Sequence, residues 1–351
     1  MPENKETFKS FMNKILNGTA IAIVVALIPN AILATLLKPV ATNATVAQFI
    51  HVIVVFQYLT PIMAGFLIAK EFKFSGMHQL AVAGAAYVGA GGWTTTTSVV
   101  KGVATTSYSF KGIGDIINMM ITAALAVLAV KYLGNLVPSL NIIFVPIVIG
   151  TGVGFVGLEL LPFVSKITTL IGEGINTFTH LQPFLMSVLI AMAFAILIVT
   201  PISTVAISLA IGLNGLTAGA SAMGVASTAL VLVIATAKVN KPGVPLAIFL
   251  GGMKMMMPNF FRHPVMAIPL LVTAAVSSLS VPIFHLVGTP ASAGFGIAGA
   301  IGPIASYAGG ASLAIVVIAW LVVPVVVGFV AHFICKNVLK LYTDDIFKLG
   351  D

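Results

Sequence analysis

Apolar segments follow one another along almost the whole of this chain, and that succession decides the solvent in which it folds. They run at about 19–37, 46–69, 76–92, 112–133, 140–161, 183–211, 214–236, 244–257, 264–287, 288–303 and 312–335. A helical crossing of a bilayer needs about 20 predominantly apolar residues. Hydrophobic side chains make up 59% of the 351 residues and charged ones only 7%. A globular surface of that kind would not dissolve, so lipid is the solvent for most of the chain. The expected fold is an all-α polytopic membrane protein with about 8–10 transmembrane helices.

Not every segment reads as a plain span. Gly288-Thr-Pro-Ala-Ser-Ala-Gly-Phe-Gly-Ile-Ala-Gly-Ala-Ile-Gly-Pro303 is apolar but too rich in Gly and Pro for a straight helix. Irregular backbone at membrane depth persists only where protein or a water-filled cavity satisfies its polar groups, so the segment predicts a re-entrant loop at a solute site. Thr200-Pro-Ile-Ser-Thr204 places three hydroxyls around one proline inside the 183–211 segment and predicts a helix break. The segments at 76–92, 244–257 and 288–303 are short enough to dip into the bilayer without crossing it.

Charge gives orientation and an organisation into halves. Lys5, Lys9, Lys14, Lys70, Lys73, Lys336, Lys340 and Lys348 fall on one side if the number of crossings is even. By the positive-inside rule that side is the cytoplasm, with both termini there and the Thr-rich loop 93–110 outside. Phe8, Phe11, Met12 and Ile15 stand at helical spacing among the first lysines and predict a short interfacial helix, uncleaved. The mixed stretch 161–182 divides the chain near its midpoint, into an N-terminal half (1–180) and a C-terminal half (181–351). The lone Cys335 provides neither a disulfide framework nor a metal pair. No catalytic residue, cofactor or metal site is expected, and no nucleic-acid partner.

Between Gly174 and Thr343 the chain contains no Asp or Glu, although Lys238, Lys241, Lys254, Arg262, Lys336 and Lys340 lie there. A solute site in that half is therefore neutral or positive, suited to an uncharged polar or anionic solute. Lys254, Arg262 and His263 flank Met253-Lys-Met-Met-Met-Pro-Asn-Phe-Phe-Arg-His-Pro264, which also holds Asn259. Those four, with Ser203, Thr204, Thr289 and Ser292, form the candidate solute-binding set. Glu159, near the end of the 140–161 segment, is the candidate for ion coupling. Asp115 is expected to cap a helix start. Gly152-Val-Gly-Phe-Val-Gly157 and Gly294-Phe-Gly-Ile-Ala-Gly299 spell a dinucleotide fingerprint, but within membrane-length apolar sequence small residues for close helix packing explain them better.

The Gly288–Pro303 segment, His263-Pro264 and the Thr200–Thr204 break together resemble the EIIC membrane components of the bacterial phosphotransferase system. The resemblance is specifically to the compact stand-alone branch that includes the perfringolysin O regulator. The likeness extends over nearly the whole chain. It implies a multi-pass protein of the bacterial cytoplasmic membrane, a homodimer joined by its N-terminal spans. It also implies a C-terminal portion with two opposed re-entrant hairpins around a sugar, at about 244–262 and 288–303. The sugar permeases carry a Gly-Ile-Thr-Glu-Pro pattern whose Glu has no counterpart in this C-terminal half. No EIIB domain with its phosphoryl-carrying cysteine is present in the 351 residues, so sugar phosphorylation requires a separate EIIB partner. The resemblance implies a permease for a small polar solute working by alternating access. A membrane-embedded ligand sensor like the regulator, or an ion-coupled secondary transporter, are the alternatives.

Overall fold

The computed structural model describes residues 7–30, 33, 37, 40–100, 103–133 and 140–349. Lys5 and most of the 31–39 end of the first apolar segment lie outside the described residues. The chain divides into two compact units, Met1–Lys166 and Ile167–Asp351.

In the first unit, α1 (Phe8–Pro29) is capped by Thr7, whose hydroxyl accepts from Ser10 N at 3.2 Å. The stretch expected as a separate interfacial helix runs without a break into the first span. Its Ile15 and Leu16 are buried, and packing of that turn against the unit overrides a stop at the lipid surface. Asn43 caps α2 (Ala44–Tyr58) by accepting from Thr45 N and Val46 N. Pro61, in the first turn of α3 (Thr60–Glu71), leaves α2 and α3 bent by 41°. Then come α4 (Gly76–Ala90), α5 (Ile116–Leu133) and the long α6 (Asn141–Phe178), which contains π-helical turns from Val145 to Gly152 and whose residues from Ile167 on belong to the second unit. The 161–178 stretch is part of α6. The buried Asn118 ties three helices together, its amide donating to Gly89 O at 2.5 Å and Gly157 O at 2.8 Å. Asp115 caps α5 through Asn118 N at 2.8 Å.

The Thr-rich segment forms an antiparallel hairpin, β1 (Trp93–Val100) and β2 (Val103–Phe110), in register from Trp93 opposite Phe110 to Ser98 opposite Thr105. β-branched threonines favour extended backbone, a propensity outweighed in a loop reading by their polarity. Aromatic rings gather at its base, Trp93 against Tyr108 and Tyr58 against Phe110, while the hydroxyls further along are exposed. Aromatics below and hydroxyls above are the arrangement expected where chain leaves lipid for water.

The second unit is built around α9 (Gly215–Thr236), which is buried continuously from Ala218 to Leu232. An all-round apolar helix with many small residues belongs at the centre of a bundle. At Gly224 a Cβ would lie 2.7 Å from Ala191 Cα of α7 (Pro183–Leu197), so close backbone approach requires glycine there. α8 (Thr204–Ala210) follows the break after α7. α10 (Gly243–Phe249), a 3₁₀ turn at Met253–Met256 and α11 (Met257–Arg262) make one helical hairpin. Beyond α12 (Pro264–Phe284), α13 (Pro290–Ala293) and α14 (Ile301–Ala308) make a second. The last span is α15 (Leu313–Val338), exposing Leu313, Val326 and Phe329 outward.

Six helices among the described residues are long and apolar enough to cross a bilayer: α1, α5, α6, α9, α12 and α15; the bent pair α2–α3 makes a seventh if it is one span. The protein is an all-α polytopic membrane protein. The remaining apolar segments are shorter. A seven-residue helix such as α10 rises only about 10 Å, a third of the hydrocarbon thickness, too little for a crossing by itself.

Candidate functional site

The site begins with Pro201, which has no N–H and ends the helical ladder of α7. Thr200 turns the chain locally: its N and Oγ1 both donate to Leu197 O, at 3.0 and 2.7 Å, and its hydroxyl accepts from Ile202 N. Ser203 restarts the helix by accepting from Ala206 N at 3.1 Å. The carbonyls of Thr200 and Ile202 fall between the two helices. Both accept from Lys254 Nζ, Ile202 O at 2.8 Å. Lys254 sits on the 3₁₀ turn at the tip of the first hairpin and is 7% exposed.

The second hairpin reaches the same break. Thr289 and Ser292 cap α13 reciprocally: Ser292 N donates to Thr289 Oγ1 at 3.2 Å and Thr289 N to Ser292 Oγ at 2.8 Å. The carbonyls that follow are answered by hydroxyls from α8 and α9. Ser208 donates to Pro290 O at 2.9 Å, Ser221 to Ala293 O at 2.7 Å and Thr204 to Gly294 O at 2.8 Å. A Cβ at Gly294 would lie 2.5 Å from Val205 Cα, which explains the glycine. Gly288 and Gly215 exchange main-chain bonds of 2.9 and 3.1 Å, and Ser306 donates to Val287 O.

Of the residues expected from sequence, Lys254, Ser203, Thr204, Thr289 and Ser292 are therefore brought together around one break. Thr204, Ser292 and Lys254 are buried, whereas Thr289 is exposed. Asn259 points elsewhere: its amide donates to Ile346 O at 2.8 Å and Lys348 O at 2.7 Å in the C-terminal tail. Arg262 is half-buried and His263 exposed, at the end of α11. Glu159 stands on an exposed face of α6 in the first unit.

The tail itself went unread in the sequence. Asn240 holds it too, donating to Phe347 O at 2.9 Å and accepting from Leu349 N at 2.8 Å. Asp344 pairs with Lys336 and lies 3.4 Å from His332 Nε2, while Tyr342 Oη lies 3.1 Å from His332 Nδ1. Burial holds the Tyr342 phenol above its ordinary range, so it stays a neutral hydroxyl. Ser208, Ser221 and Ser306 also went unread, because a single hydroxyl in apolar sequence has no local mark of the carbonyl it meets.

A protein-family model described as "Phosphotransferase system, EIIC" matches residues 13–349. The chain belongs to this family. No curated protein and no solved structure matches it. An EIIC component is a multi-pass membrane protein that works on a solute together with other parts of the phosphotransferase system. The match extends over both units, so the two hairpins and the break belong to the EIIC body and are not appended to it.

Proposed function

We propose that this EIIC component is a permease carrying a small polar solute, a sugar or an anionic metabolite, across the bilayer by alternating access. The observation that carries the reading is that both helical hairpins of the second unit converge on one helix break, through Lys254 on one side and Thr204–Gly294 on the other. Broken helices with main-chain groups turned inward are how membrane carriers build midplane sites. Ser203, Thr204, Thr289, Ser292 and Lys254 form the solute end, and Arg262 and His263 lie further along the first hairpin. Asn259 serves the tail and is left out. Two copies join through their first units, in a bacterial inner membrane with both termini in the cytoplasm. A separate EIIB protein supplies the phosphoryl group, if the solute is phosphorylated.

The test is uptake of labelled sugars and organic acids into proteoliposomes containing the purified protein, with Thr204→Val and Ser292→Ala beside it. Accumulation that both variants diminish supports the permease. A ligand that raises the melting temperature without ever being taken up refutes transport and leaves the sensor reading. Uptake that follows an imposed proton or sodium gradient and is lost in Glu159→Gln would instead favour ion-coupled transport.

A further inference from the structure

In the second unit, main-chain carbonyls in short helical turns and just beyond them are answered repeatedly by neutral donors. Ser208, Ser221 and Thr204 serve Pro290, Ala293 and Gly294; Asn240 and Asn259 serve Ile346, Phe347 and Lys348. The break at Pro201 is the exception. There the carbonyls of Thr200 and Ile202 converge on the side-chain nitrogen of Lys254. One hydroxyl has a single donor, but a primary amide would satisfy both carbonyls without the penalty of burying a charge, so a lysine there is the feature to be explained. Lys254 is 7% exposed and makes no ion pair among the described residues. The chain offers no carboxylate from 174 to 343. Among the described residues both hydrogen bonds of Lys254 go to main-chain carbonyls.

Carbonyl oxygens are the ligands that replace the water of a dehydrated monovalent cation, and the two at this break would be part of such a set. In broken-helix carriers such freed carbonyls coordinate the coupling ion. We propose that Lys254 is a tethered cation: its ammonium stands where a sodium or potassium ion would otherwise sit among the carbonyls of the break. Because it is covalently attached, it cannot leave with the solute. The break therefore stays formed without a dissociable ion. Lys254 is thus a positioning residue for the site, and the inference rests on the same break as the permease reading but not on transport.

The experiment is thermal unfolding of the detergent-solubilised full chain, wild type and Lys254→Ala. Sodium chloride, potassium chloride, n-butylammonium chloride and N-methylglucamine chloride are compared at equal ionic strength. The wild-type melting temperature should be the same in sodium and N-methylglucamine. Lys254→Ala in N-methylglucamine should melt lower by about 5 °C or more, and sodium, potassium or n-butylammonium should restore at least half of the loss. A variant as stable as wild type in N-methylglucamine overturns the proposal. So does a loss that none of the three cations restores, or a sodium-specific rise in the wild type. If Lys254→Ala yields no folded protein, Lys254→Gln decides, since it keeps a donor without the charge. Cation-dependent stability of that variant supports the proposal, and cation-independent stability equal to wild type refutes it. Failed uptake with an intact cation response counts against the permease alone; uptake without a cation response counts against the tethered cation alone.

Discussion

Replacing Asn259 with Ala asks whether this amide serves a solute or the C-terminal tail, and the two answers differ in kind. The side chain donates two hydrogen bonds, to Ile346 O and Lys348 O. Each contributes about 0.5–1.5 kcal/mol net, and a carbonyl left dry raises the loss toward about 1–3 kcal/mol. Asn259→Ala should therefore destabilise the full chain by about 2–3 kcal/mol. The tail should not detach, because Asn240 still holds Phe347 O and Leu349 N. Phe347 also remains buried at 1% exposure, worth about 1.5–3 kcal/mol. Ending the chain after Thr343 removes all of these contacts together. In that shortened chain Asn259→Ala should cost almost nothing, which gives a coupling of about 2 kcal/mol between the two changes. Equilibrium unfolding in mixed micelles, followed through the fluorescence of the buried Trp320, would measure the cycle. Equal destabilisation by Asn259→Ala with and without the tail refutes the reasoning. Unchanged stability accompanied by lost ligand affinity would return Asn259 to the solute site.

Three other perturbations follow from contacts of the second unit. Gly224→Val drives a side chain into the Ala191 backbone and should destabilise the α7–α9 contact by about 3 kcal/mol or more, seen as loss of monodisperse protein in size-exclusion chromatography. Ala300 has φ 56°, a left-handed conformation that disfavours a Cβ, so Ala300→Gly should raise stability by about 1 kcal/mol; a lowered melting temperature would contradict this. Ser221→Ala removes the buried donor to Ala293 O and should cost about 1–3 kcal/mol, with faster hydrogen exchange confined to the second hairpin.

How much was legible in the sequence follows from how far each signal reaches along the chain. Apolar runs and prolines act on their own neighbours, so the spans, the break at Pro201 and the Gly-rich second hairpin could be read from their residues. Asp115 was readable as a cap for the same reason, its partner Asn118 N being three residues away. The continuity of α1 and the extended form of the threonine segment were misjudged because burial of Ile15 and cross-strand pairing override local polarity. Asn259 lay beyond local reasoning, since the carbonyls that claim it lie 87 and 89 positions further on. Polar side chains in apolar sequence therefore mark places where main-chain groups need partners, without saying whether the need is a solute's or the fold's. For a hydroxyl or an amide, satisfying the fold is sufficient cause. For Lys254 it is not: a primary amide could supply the same two bonds, and the choice of a side chain that can carry a charge is what points to an ion's place in the break.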